Sequence, residues 1–111
     1  MDDRRRKRIA ENEALYRTVN EKIEDVSLAF APLTETMGVV CECGDIECVD
    51  QIDIDVTEYE RIRSDPTFFI VKPGHELPEV ESVVDRQDAF NVVCKDQPVG
   101  EAVAIATDPR A

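Results

Sequence analysis

Apolar residues recur every seven positions near the start of the chain, at Ile9, Tyr16, Ile23 and Phe30. Val19 and Val26 fall between them at the complementary spacing, and Asn12 takes the remaining inner place. Residues 5–30 contain no Gly or Pro and are rich in Glu, Ala, Lys and Arg, so the spacing predicts one long amphipathic helix. Its seam is of coiled-coil type, with Leu15 widening it. Two arrangements are open. The helix either lies along its own domain or offers Ile9, Tyr16, Val19, Ile23 and Val26 to a second copy or a protein partner. At about 1.5 Å per residue the helix nears 40 Å, long enough for the half with Ile9 and Tyr16 to overhang the short remainder. Partner engagement or self-association is therefore the expectation, with Pro32 as the helix breaker.

Beyond Pro32 the period shortens to that of strands. A first strand is expected around Val39 to Cys41, and "QIDIDV" alternates Ile52, Ile54 and Val56 with Asp53 and Asp55, a strand with one wet face. "TEYERIRSDP" reads as a short helix with Thr57 and Glu60 as a capping box, ended by Pro66. "TFFIVKP", "VESVVDR" and "FNVVCKD" read as three strands of a small antiparallel meander, and "PVGEAVAIATDPRA" as a further short helix. The fold class is thus α+β: a long N-terminal helix in residues 1–34, then a small antiparallel sheet domain with one short helix and a cysteine-rich knuckle in residues 35–111.

Composition sharpens this picture. The chain has 111 residues, 5% aromatic and without Trp, so its core is modest and a metal staple would help it. The net charge of −12 is uneven. Five bases and two acids lie in the first ten residues, leaving eight bases against 23 acids in the rest. An acidic body repels a phosphate backbone, which argues against direct nucleic-acid binding. No apolar run reaches the roughly 20 residues a membrane helix needs, and "IAENEALYRTVNE" is too polar for a signal-peptide core. A cytoplasmic location is expected, where thiols stay reduced.

That setting gives the cysteines their meaning. Cys41, Cys43 and Cys48 crowd into eight positions of "CECGDIEC", with one bend projecting two thiols and the "GDIE" turn returning the third. Zinc takes four such soft or borderline ligands tetrahedrally. Two residues compete for the fourth place. His75, the only histidine, sits in the "KPGHE" turn, whereas Cys94 follows Val92 and Val93 as a small hydrophobe would. His75 is preferred and Cys94 is the runner-up; an iron–sulfur site on all four cysteines is a further option. A hydrolytic zinc enzyme is disfavoured. Three thiolates leave a bound water poorly acidified, and Glu76 would be the sole candidate base. A redox-responsive zinc switch, in which oxidation of Cys41 or Cys43 expels the metal, is the alternative to a zinc-binding adaptor or regulator.

"CECGDIEC", "EYERIRSDPTFFIVKPGHELPEVESVV" and "FNVV", in this order, resemble a largely uncharacterised family of small bacterial proteins, chiefly actinobacterial. Its members share a Cys-x-Cys-Gly-x3-Cys knuckle, a Tyr-Glu-x-x-Arg helix and a Pro-Gly-His-Glu turn. The likeness covers about residues 9–95. It implies that Cys41, Cys43, Cys48 and His75 form one motif. It also implies that Glu is commoner than Cys at the Cys94 position, which weakens Cys94 as a ligand.

Overall fold

Helix-forming residues without a Gly or Pro break give α1, Asp3–Ala29, the longest element of the computed structural model. The structure describes residues 2–29 and 36–110; the expected breaker Pro32 and the seam position Phe30 lie outside them. A two-stranded antiparallel hairpin follows, β1 (Thr36–Val40) with β2 (Gln51–Asp55), then α2 (Val56–Arg63). Strands β3 (Phe68–Val71), β4 (Ser82–Arg86) and β5 (Asn91–Cys94) form a second antiparallel sheet, and α3 (Pro98–Ala106) closes the order. The molecule is α+β, as its patterning requires.

The hairpin register pairs Met37 with Ile54 and Val39 with Ile52, and all four are buried, while Asp53 and Asp55 stay wet. Strands β3 and β5 are apolar without alternation because both of their faces are covered: Phe69, Ile70, Val71, Val92 and Val93 are all buried. Two local expectations change. The sheet order is β3-β5-β4, so it is not a meander. Residues 72–81 are diverted into the turn that carries His75, and the tight β4–β5 connection, closed by Gln87 N–H to Phe90 C=O at 2.9 Å, leaves β5 in the middle. The short helix begins two residues early. Asp55 is its N-cap, without a side-chain bond, and Thr57 lies inside the helix, so there is no capping box.

The larger correction concerns the seam of α1. About 40 Å of helix runs along a molecule 46 Å in its longest dimension, so α1 has no free half. Ile9 and Tyr16 are buried within the chain and Ile23 is half-buried, whereas Val19 and Val26 are 39% and 61% exposed. The inner positions between Ile9, Tyr16 and Ile23 belong to Glu13 and Asn20, both fully buried. The expected seam is therefore two faces. The reason is partner supply, since the surface under α1 is polar.

That surface is a layer of charge pairs. Lys95 Nζ donates to Glu13 Oε1 at 2.7 Å and to Glu81 Oε1 at 3.1 Å, with all three side chains at most 1% exposed. Gly100 makes room for Lys95: a Cβ there would lie 2.9 Å from Lys95 Cε. Glu42, inside the Cys pair, accepts from Arg63 at 3.2 Å, Asn20 at 2.7 Å and the Ile70 N–H at 2.9 Å. Arg17 donates to the carbonyls of Pro66 (2.6 Å) and Ala104 (2.7 Å), its guanidinium 4.6 Å from the centre of the Phe69 ring. Buried charges persist because each finds partners of this kind.

Candidate metal centre

The knuckle is built by turn chemistry. The Cys41 N–H donates to the Asp50 carbonyl at 2.8 Å, adding a rung beyond the β1–β2 ladder, and the Glu42 N–H donates to Ile70 C=O at 2.8 Å. Asp45 then folds the chain back. Its Oδ1 accepts the Glu47 N–H at 2.9 Å and its carbonyl accepts the Cys48 N–H at 3.0 Å. Cys48 thereby returns to Cys41. From the second sheet, the turn after β3 is closed by His75 N–H to Lys72 C=O at 2.9 Å. Gly74 occupies φ +91°, a conformation that favours glycine.

These two segments bring Cys41, Cys43, Cys48 and His75 together, their ligand atoms all within 4.8 Å of one another. His75 Nδ1 lies 3.6 Å from Cys41 Sγ and 3.5 Å from Cys48 Sγ. A tetrahedral zinc with bonds near 2.3 Å to sulfur and 2.0–2.1 Å to nitrogen has S···N edges of about 3.6 Å, so both distances match. All four cysteines are free thiols. The four residues are arranged to hold a metal ion, and the site would join the hairpin to the second sheet.

Neighbours prepare the donors. Asp50 Oδ2 lies 3.7 Å from His75 Nε2, which favours the proton on that nitrogen and leaves the Nδ1 lone pair facing the sulfurs. Cys41 is drawn below the ordinary thiol value, first by hydrogen bonding from Cys43, then by the Lys72 N–H at 3.2 Å. Cys43 is pushed up, first by its bond to Cys41 and then by burial, and burial raises Cys48. The three sulfurs thus compete for negative charge. A divalent cation reverses this by neutralising the charge they would share.

Cys94 does not join the cluster; its sulfur is 3.4 Å from Thr67 Oγ1. Glu76 is occupied, accepting from Gly74 N–H at 3.0 Å and Asn91 Nδ2 at 3.3 Å. Its own backbone N–H first, then Asn91, hold its carboxyl below the usual value. Gly44 has a role that the spacing did not reveal: a Cβ there would lie 2.5 Å from Ile9 Cγ2, so the glycine admits α1. Asp50 and Lys72 were also missed. They carry no motif, and only folding sets them beside the ligands. No protein-family model, curated protein or solved structure matches the chain.

Proposed function

We propose that the chain is a small zinc-binding adaptor or regulatory protein whose Zn²⁺ sits on Cys41, Cys43, Cys48 and His75. The observation that carries this is the convergence of three thiols and one imidazole nitrogen within 4.8 Å of one another, with His75 Nδ1 at tetrahedral edge distance from Cys41 and Cys48. Four protein ligands close the coordination shell, the hallmark of a structural site. Glu76 is tied into its own turn, which supports a role other than hydrolysis. Four unpaired thiols suit a reducing compartment, the cytoplasm, and among the described residues no helix is long and apolar enough to cross a membrane.

The interaction element is the outward face of α1. Arg8, Leu15, Val19, Lys22 and Val26 are all exposed and follow one another at heptad spacing. Ile23 adds to a shallow apolar depression of about 350 Å³ beside Val19 and Val26. The occupant would be an amphipathic helix of a protein partner or of a second copy, with Arg8 and Lys22 placed to meet acidic side chains.

Elemental analysis of the purified chain tests the metal: one zinc per chain is expected, with X-ray absorption reporting three sulfurs and one nitrogen. Absence of metal, or a four-sulfur shell, overturns the reading. Val19→Asp with Val26→Asp is expected to leave zinc content and melting temperature unchanged while abolishing binding to a synthetic acidic amphipathic helix. Equal binding by wild type and variant overturns the partner assignment.

A further inference from the structure

The first turns of α1 dock on the metal knuckle. Ile9 enters the space left by the missing side chain of Gly44. Asn12 Nδ2 donates to the Gly44 carbonyl at 3.2 Å, and the Tyr16 hydroxyl donates to the Ile46 carbonyl at 2.5 Å. Within residues 2–12 only Ile9 and Ala10 are buried, and Ala10 contributes a single methyl. Arg6 pairs locally with Asp3 at 3.2 Å, and Arg4, Arg5, Lys7 and Arg8 face solvent.

The dock itself has weak support of its own. Residues 43–50 contain no helix or strand. Hydrogen bonds of this segment run within the turn, from Cys48 and Glu47 to Asp45, come from α1 to Gly44 and Ile46, or hold its last residue to the hairpin, from Cys41 N–H to the Asp50 carbonyl. Cys43 and Cys48 reach across to His75 through their sulfurs.

From Glu13 onward the helix has other anchors. Glu13 is held by Lys95 at 2.7 Å, and Arg17 by the carbonyls of Pro66 and Ala104. Asn20 exchanges two 2.8 Å bonds with the Val40 backbone, and Glu21 accepts from Arg110 at 2.7 Å. None of these passes through the knuckle turn.

We infer that the metal is a latch: with the ion bound, the knuckle clamps residues 2–12 of α1 to the body, and its loss frees this basic arm while the helix beyond Glu13 stays docked. This rests on the metal reading above. Coordination fixes the positions of the Gly44 and Ile46 carbonyls, and without it the turn carries these acceptors away from Asn12 and Tyr16. Ile9 then loses its seat.

Hydrogen exchange followed by mass spectrometry on the full chain tests this, with zinc bound and after chelation. Amides of residues 6–12 are expected to exchange at least about tenfold faster in the chelated protein, recovering when zinc is restored. Residues 17–24 are expected to change less than about twofold. Unchanged arm exchange after verified loss of zinc overturns the latch while leaving the metal site intact; loss of protection along the whole of α1 overturns it as well. A chain that takes up no zinc overturns the metal reading and the latch with it. Gly44→Ala provides a second arm that leaves every ligand in place. At one zinc per chain, its methyl displaces Ile9, so arm exchange rises as it does on chelation, and adding Ile9→Ala restores protection. An arm still protected in Gly44→Ala shows that Ile9 and the knuckle are not the dock, and the latch fails.

Discussion

The knuckle and the charge layer beneath α1 solve the same problem with opposite chemistry. Each ties distant segments of a chain whose aromatic content is low. The knuckle gathers soft donors in an arrangement that can hold one ion, and its members lie close together in sequence apart from His75. The charge layer gathers Glu13, Lys95 and Glu81, or Glu42, Arg63 and Asn20, from α1, α2 and three connecting segments, and neutralises them against one another. What the contrast teaches is that a charged residue is not thereby a surface residue. Its place is decided by whether the fold supplies a counter-charge and enough hydrogen bonds.

The hardest test breaks the charge layer and leaves the knuckle alone. Lys95→Ala strands Glu13 and Glu81 with no cation, and loss of one partner of a buried pair costs about 3–5 kcal/mol. Urea denaturation is expected to show a drop of that size while zinc stays at one per chain. An effect under about 1 kcal/mol, the size of an exposed pair, would mean that water reaches this layer.

The converse experiment removes a ligand. His75→Ala is expected to weaken zinc more than about 100-fold, beyond what loss of an outer-sphere group costs. Cys94→Ser leaves affinity unchanged, because that sulfur lies outside the cluster. Competition with a chromogenic chelator ranks the three proteins, and reversal of the order would move the fourth ligand to Cys94. A smaller effect belongs to Asp50→Asn. It removes the carboxylate near His75 Nε2 and is expected to weaken zinc about tenfold, with three sulfurs and one nitrogen still in the shell.

A further effect is a slope with pH. Burial first, then the neighbouring Glu60, pushes the Glu24 carboxyl up from 4.5 to about 8, although Arg110 lies 3.0 Å away. Burial and the nearby Glu81 raise Glu13 in the same direction. A folded-state value above the unfolded one means that the native chain holds the proton longer. The associated stability is complete below about pH 4.5 and is lost as pH rises towards 8. The melting temperature is expected to fall across that window, and Glu24→Gln should flatten the decline. An identical slope in the variant would assign the titration to another group.

The cluster of Cys41, Cys43 and Cys48 with His75 was legible because its signal is local. Three thiols in eight positions with a Gly-Asp turn have few other uses in a reduced chain, and the Pro-Gly turn around His75 marked a rigid presenter. The hairpin was legible for the same reason, since "QIDIDV" fixes which face of a strand is wet whatever it packs on. The order of the second sheet was not, because strand patterns give faces and leave neighbours open. It was the course of residues 72–81 towards the knuckle that put β5 between β3 and β4.

For α1 the sequence by itself determined that a helix forms and how far it runs, through propensity and the absence of breakers. It did not determine which face turns inward. Hydrophobic periodicity assumes an apolar surface underneath, and here Glu42, Arg63, Lys95 and the Pro66 and Ala104 carbonyls lie there instead. Against such a surface Glu13, Arg17 and Asn20 are the complementary residues, and Val19 and Val26 are left outside. Only the tertiary structure decides this, because the free energy of a buried charge lies in partners that come from elsewhere in the chain.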